Sequence, residues 1–110
     1  MPDKVLIVNS DQGFREELKD ALEGYEVIEA ASGQEAILFM QRANEIGVIL
    51  LDMTIQDIPA PDVVSAIRKT DPHVGLILLI EHPSKNVDFQ ELKEAADDYI
   101  EKPPDISALR

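Results

Sequence analysis

Asp52 and Lys102 are the two side chains of this sequence best placed to do the chemistry of charged groups. Asp52 closes the apolar run 48–51, and Lys102 follows the stretch 98–101 directly before Pro103. Each has an ordinary explanation by itself, because loop acids often end strands and most lysines are solvated. A carboxylate and an ammonium group that both lie at the ends of parallel strands favour a functional site.

Further candidate residues stand at the ends of the other apolar runs. Asn9, Ser10 and Asp11 follow the first run, where a charged group would be expected, and Ile80 ends a later one. Glu81 comes next and is expected to be a solvated charge. Because open parallel sheets bind ligands outside the carboxyl ends of their strands, these residues are the candidates for a site.

Hydrophobic periodicity predicts strands and helices in alternation. Strands are predicted at 4–8, 25–30, 47–51, 74–80 and 98–101. Helices are predicted at 14–22, 33–44, 60–70 and 84–96, with a last one beginning at 105–110. The alternation predicts an α/β fold, a doubly wound, flavodoxin-like parallel sheet of five strands in the order 2-1-3-4-5. Its last helix is cut short at Arg110.

The composition excludes several classes of function. The 110-residue chain carries a formal net charge of −12, two histidines and no cysteine. Such a surface repels nucleic acids and anionic membranes, and thiol or disulfide chemistry is excluded. Neither a signal peptide nor a membrane-spanning run is recognisable. We expect one soluble, cytoplasmic domain over residues 1–110, in a natural chain that continues beyond residue 110.

The ordered set of motifs resembles the receiver domains of two-component response regulators (CheY-like) along essentially the whole chain. The matching stretches are VLIV with its polar end, GYEVIEAASGQEAI, VILLDM, LILLIEH and ADDYIEKP. Ile80 lies 28 residues after Asp52, and Lys102 lies 22 residues after Ile80, which also fits the family. The resemblance implies a module of phosphorelay signal transduction rather than an enzyme.

The resemblance implies a role for each matching residue. Asp52 stands at the position of the aspartate that accepts a phosphoryl group, and Lys102 at that of the lysine before the fifth-strand proline. Ile80 stands at the usual Ser/Thr position, and Tyr99 at the position of the switch aromatic. The Mg²⁺ positions of the family fall on Asn9, Ser10, Asp52 and the carbonyl of Thr54.

Three groups of the family's pocket are missing from this sequence. Neutral Asn9 and Ser10 replace the two metal acids, and Ile80 replaces the hydroxyl. The usual pocket sums to a charge of about −2, which one divalent ion balances, whereas Asp52 and Lys102 sum to zero. We therefore expect a degenerate pocket (a pseudo-receiver) without a cofactor, or with weak Mg²⁺ binding at most.

The preferred hypothesis is an atypical receiver whose Mg²⁺-dependent phosphorylation is weak or absent. It would act through protein–protein interaction with a histidine kinase, an output domain or another signalling protein, and bind neither nucleic acid nor membrane. The expected surface is that of the fourth helix, the fifth strand and the last helix, which also leaves a homodimer open.

Two other hypotheses remain. In the first, motivated by Asp52 and Lys102, the chain is a working phosphoacceptor with an unusual pocket, phosphorylated on Asp52 by a histidine kinase. Asp11 is the candidate substitute for a missing metal ligand. The ordinary explanation for Asp11 is the N-cap of the first helix. A flavin carrier or other small-ligand binder is disfavoured, because NSDQGF at 9–14 is poor in the glycines and hydroxyls that cradle phosphate.

Overall fold

Five parallel strands and four helices alternate in the computed structural model, which describes residues 4–42, 45–81 and 85–102. The strands are β1 (Lys4–Val8), β2 (Glu26–Ala30), β3 (Ile46–Asp52), β4 (Gly75–Ile80) and β5 (Asp98–Glu101). The helices are α1 (Gln12–Ala21), α2 (Gly33–Arg42), α3 (Ala60–Thr70) and α4 (Val87–Leu92). Within these ranges no helix is long and apolar enough to span a bilayer.

The sheet has the predicted order, β2-β1-β3-β4-β5, and all of its pairings are parallel. The predicted fold class is therefore confirmed. The register places Val8 opposite Leu51 and Asp52 opposite Leu79. Because the strands run in the same direction and in step, their carboxyl ends meet at one edge of the sheet.

Alternate residues of the central strands build two apolar clusters, one on each face of the sheet. Leu6, Val8, Ile49 and Leu51 belong to the larger cluster, which α2, α3 and α4 cover. The smaller cluster contains the intervening residues, among them Ile7, and is covered by α1. Burial on both faces explains why β3 and β4 are continuous apolar runs in the sequence.

The bounds predicted for the fourth helix were wrong. It was predicted over 84–96 but comprises only Val87–Leu92, and Ala95 beyond its end is exposed. Residues 43 and 44 of the second predicted helix, and all of the last one at 105–110, lie outside the described residues.

Asp57, in the loop after β3, fastens that loop to the N-terminus of α2. The backbone N–H groups of Gly33 and Gln34 each donate to its carboxylate at 3.0 Å. These bonds, first that of Gln34 and then that of Gly33, hold the pKa of Asp57 below its usual value of 3.8. A Cβ at position 33 would lie 2.8 Å from Cγ2 of Val63, so glycine permits this close approach.

The Asp57 cap should make the stability depend on pH. A carboxyl whose pKa is lower in the folded state stabilises the fold above its unfolded pKa, and this contribution is lost as the pH falls through the folded pKa. We expect Asp57→Asn to reduce the free energy of unfolding by about 0.5 kcal/mol near neutral pH, because the amide keeps one accepting oxygen but loses the negative charge at the N-terminus of α2. The difference from wild type should shrink as the pH falls below about 4. Urea unfolding at a series of pH values measures it.

A matched control is Asp20→Asn, which removes an exposed carboxylate of α1. Asp20→Asn should change the free energy of unfolding by less than about 0.5 kcal/mol, and this difference from wild type should not depend on pH in the way expected for Asp57→Asn. If Asp57→Asn and Asp20→Asn behaved alike across the series, the cap would have no energetic role.

Candidate functional site

The site lies where β1, β3, β4 and β5 end. Asn9 follows β1, Asp52 is the last residue of β3, Ile80 is the last of β4, and Lys102 follows β5. Backbone bonds continue the sheet past the strands, from Asn9 N to Ala30 O (3.0 Å) and from Lys102 N to Ile80 O (2.7 Å). The sheet itself therefore fixes the backbone from which each of these side chains projects.

The Asp52 carboxylate is fully buried and accepts four hydrogen bonds. Oδ2 accepts from Asn9 Nδ2 at 2.5 Å and from Lys102 Nζ at 2.7 Å. Oδ1 accepts from the backbone N–H of Thr54 at 2.8 Å and from the Thr54 hydroxyl at 2.6 Å. Two oxygens offer about four lone-pair sites, so internal donors saturate this carboxylate.

The Asn9 side chain is held at both ends of its amide. Its nitrogen donates to Asp52, and its oxygen accepts from the backbone N–H of Asp11 at 2.6 Å. Asn9 is only 2% exposed, so each of these bonds satisfies a buried group. The amide oxygen faces the chain at Asp11, and the amide nitrogen faces the carboxylate.

Lys102 lies between the carboxylate and an aromatic ring. Its side chain is 13% exposed and forms an ion pair with Asp52 at 2.7 Å. The ammonium group also lies 4.8 Å from the centroid of the Phe14 ring, within the range of a cation–π contact. Glu81, predicted to be a solvated charge, is half-exposed, and its carboxylate lies 3.9 Å from the same ammonium.

The other two residues after β1, Ser10 and Asp11, are exposed, and the described hydrogen bonds of Asp52 do not include them. Asp11 is the N-cap of α1, because its Oδ1 accepts from Gly13 N at 2.9 Å and Phe14 N at 3.3 Å. The ordinary explanation of this residue is thereby confirmed. Ser10 is exposed and lines an open cavity of about 420 Å³.

Ile80 and Tyr99 belong to the packing around the site. Ile80 is 2% exposed and lies in the larger apolar cluster. Tyr99 is 48% exposed, and its ring meets the ring of Phe89 edge-on, with centroids 5.0 Å apart and planes at 75°. Neither Ile80 nor Tyr99 makes a polar contact with Asp52 in the described part of the chain.

Three contacts of the site were not predicted from the sequence. The Thr54 hydroxyl bonds Asp52, the Phe14 ring covers Lys102, and Arg15 donates to the Asn9 carbonyl at 2.6 Å. A threonine two residues after a strand-end aspartate is a local hydrogen-bonding pattern that the sequence could have indicated. The other two contacts depend on how α1 packs, for which no local signal exists.

Magnesium prefers hard oxygen ligands, with one or two carboxylates among them. Both oxygens of Asp52 and the amide oxygen of Asn9 accept from N–H and O–H donors, and the group nearest Asp52 on the β1 side is an amide nitrogen. Residues 4–42, 45–81 and 85–102 contain no cluster of three or more acids or histidines that could hold a metal. A cation that used Asp52 as a ligand would have to displace one of these donors.

Removing the lysine should leave a buried charge without its counter-ion. We expect Lys102→Met to lower the free energy of unfolding by about 3 kcal/mol, the low end for a broken buried pair, because three donors to Asp52 remain. Adding Asp52→Asn should recover most of the loss, since the buried group is then neutral. Urea unfolding at neutral pH measures both variants.

The exposed Lys69 on α3 provides the control, and Lys69→Met should change the unfolding free energy by less than about 0.5 kcal/mol. Equal unfolding midpoints for Lys102→Met and Lys69→Met would mean that the ion pair contributes nothing to the fold.

Comparison with known proteins agrees with this arrangement. The family model of the response regulator receiver domain matches residues 5–110. A cyclic di-GMP phosphodiesterase of Thermotoga maritima is 28% identical over 108 residues, which are 96% of this chain and 28% of that protein. The response regulator MprA of Mycobacterium sp. (strain KMS) is 30% identical over 105 residues, 94% of this chain and 45% of that protein. The chain thus spans less than half the length of these curated relatives.

A solved structure supports both the fold and the family. The response regulator TrrA of Thermotoga maritima, crystallised in complex with Mg²⁺-BeF, superposes with a TM-score of 0.77 at 30% identity. The match covers 97% of this chain and 92% of that one. Three observations agree: the order of the five strands, the Asp52–Lys102 pair at the strand ends, and the family match over residues 5–110. The chain therefore belongs to the receiver domains of two-component response regulators.

Proposed function

We propose that this receiver domain works as a protein-interaction module whose Mg²⁺-dependent phosphorylation is weak or absent. The observation that carries the proposal is the saturation of the Asp52 carboxylate by four internal donors. An acceptor oxygen must approach phosphorus with a free lone pair, and here each lone pair already holds a hydrogen. Phosphoryl transfer to Asp52 therefore requires the prior loss of at least one buried bond.

Asn9 is central to this proposal because its amide donates where the family's acid would present a carboxylate. Two adjacent carboxylates repel each other and favour a cation between them. An amide N–H beside the carboxylate attracts it instead. The Asp52–Asn9–Lys102 group is thus electrostatically satisfied without a metal, and Mg²⁺ would have to break a 2.5 Å bond to bind there.

Ile80 supports the same proposal from the other side of the pocket. It offers methyl groups where the family has a hydroxyl, and it is packed in the larger cluster. The Tyr99 ring rests against Phe89 on α4. Nothing at position 80 can hydrogen-bond a phosphoryl oxygen, so we expect Tyr99 not to respond to the state of Asp52.

Receiver domains are generally signalling modules without an enzymatic activity of their own, and they interact with histidine kinases and output domains. We propose that this chain binds such a protein partner through the surface of α4 and β5, where Val87, Tyr99 and Ile100 are exposed apolar residues. The chain's net charge of −12 disfavours its binding to nucleic acid and to anionic membranes. A homodimer through the same surface stays a prediction.

The second candidate function is a working phosphoacceptor with an unusual pocket. The retained Asp52–Lys102 pair favours it, because that pair also positions the acceptor in the family. TrrA, at 30% identity, was crystallised with Mg²⁺-BeF and so exemplifies this alternative. It predicts that small phosphodonors label Asp52 and that Asp52→Asn abolishes the label.

An NMR titration separates the two candidates. Mg²⁺ and then beryllofluoride are added to the isotope-labelled protein, and the amides of Asp52, Lys102 and Tyr99 are followed. We expect flat titration curves, because both oxygens of Asp52 already accept hydrogen bonds from internal donors. Saturable shifts at Asp52 that disappear in Asp52→Asn would establish the working phosphoacceptor instead.

Asn9→Asp should restore a cation site. The substitution replaces an attractive hydrogen bond by carboxylate repulsion, so the metal-free variant should be less stable than wild type. Mg²⁺ should then stabilise it, by about 1.4 kcal/mol at ten times the Kd, while wild type gains nothing. Thermal unfolding with and without Mg²⁺ measures the gain.

Gln41→Glu is the control, because it adds a carboxylate at an exposed position of α2, outside the site, and leaves the Asn9 amide in place. It should give no comparable Mg²⁺ stabilisation. If Asn9→Asp were also insensitive to Mg²⁺, the amide would not be what keeps the cation out.

A further inference from the structure

Both described donors to Oδ1 of Asp52 belong to Thr54. They are its backbone N–H and its hydroxyl, at 2.8 and 2.6 Å. Asp52 is fully buried, whereas Thr54 is exposed. A residue at the protein surface therefore supplies the hydrogen bonds to this buried oxygen.

Thr54 also borders both cavities near the site. One, of about 420 Å³, is lined by Ser10, the start of α2 and the loop after β3. The other, of about 250 Å³, is lined by Ile80, Glu81, Lys85 and Asn86. Thr54 lines each of them, so the residue that donates to Oδ1 of Asp52 is in contact with both cavities.

The four donors to Asp52 differ in how easily they can leave. The Asn9 amide is also tied to Asp11 N, the Lys102 ammonium lies against Phe14, and the Thr54 N–H is part of the chain. The Thr54 hydroxyl is the donor that a single side-chain rotation at an exposed position removes. The Thr54 hydroxyl also bonds directly to Asp52, the residue at the phosphoacceptor position. The family's own pocket hydroxyl, at the end of β4, is replaced here by Ile80.

We propose that Thr54 is a positioning residue whose hydroxyl keeps Oδ1 of Asp52 closed and thereby sets the reactivity of this carboxylate. Rotation of the side chain opens Oδ1 toward the cavities, and the hydroxyl bond holds it shut at rest. The inference goes beyond the proposed function and does not depend on it, because it concerns only the access of reagents to the Asp52 carboxylate.

Carboxyl footprinting tests the inference in the absence of metal and phosphodonor. A water-soluble carbodiimide with an amine labels accessible carboxyls, and peptide mass spectrometry gives the labelling of Asp52 relative to the exposed Asp20. We expect Thr54→Val, which keeps the shape but loses the hydroxyl, to raise this ratio about tenfold. That factor corresponds to about 1.4 kcal/mol, in the range of a hydrogen bond to a charged group.

Thr54→Ser retains a hydroxyl, so Asp52 should be labelled in it to the same extent as in wild type. If Thr54→Val folds poorly, Thr54→Ala provides a second variant without the hydroxyl. The ¹³C carboxyl resonance of Asp52 should move in the valine variant at fixed pH while that of Asp57 stays in place. Equal labelling of Thr54→Val and wild type, or an equal rise in Thr54→Ser, would overturn the inference.

The two proposals fail separately. Uptake of beryllofluoride by the wild-type protein would refute an idle phosphorylation switch and would leave the footprinting ratio unaffected. A footprint that does not depend on the hydroxyl would refute the role of Thr54 and leave the metal titration as it is.

Discussion

The buried carboxylate of Asp52 constrains everything around it. A charge without solvent exposure must be met by donors, and the chain supplies four of them. The lysine brings the compensating charge, while the amide and the threonine satisfy the remaining lone pairs. Because the carboxylate is fully paired in this way, a ligand that binds to Asp52 would have to replace one of these donors. The proposal of a weak or absent phosphorylation depends on this requirement.

The parallel sheet makes this arrangement available. The partners of Asp52 lie 43 residues before it and 50 residues after it in the chain, yet the strand order brings all three to one edge. The register places Asn9 beside Asp52 on the neighbouring strand, and Lys102 reaches across the end of β4. Arg15 and Phe14, both on α1, then hold the Asn9 carbonyl and the Lys102 ammonium. The helix that the Asp11 side chain caps thus supports two members of the site.

The loop after β3 links the site to the rest of the domain. It contains Thr54, which donates two hydrogen bonds to Asp52, and it continues to Asp57, which caps α2. A movement of this loop would therefore alter both the cover of the carboxylate and the end of a helix. In a receiver whose metal acids and hydroxyl are replaced, such a loop still offers a physical connection between Asp52 and the surface. The exposed apolar residues of α4 and β5 form a separate surface, which is the one proposed above to bind a partner.

The sequence by itself determined the fold class, the strand order and the three changed positions of the pocket. It could do so because doubly buried strands read as apolar runs, and because Asn9, Ser10 and Ile80 differ in chemical type from the groups of the family. The sequence did not predict the extent of α4, because a short helix beside an edge strand depends on packing and has a weak hydrophobic periodicity. The direction of the Asn9 amide, the hydroxyl bond of Thr54 and the contact between Phe14 and Lys102 were decided only by the tertiary structure. Each of them depends on distances between side chains that the chain brings together, and residue types and spacing do not specify such distances.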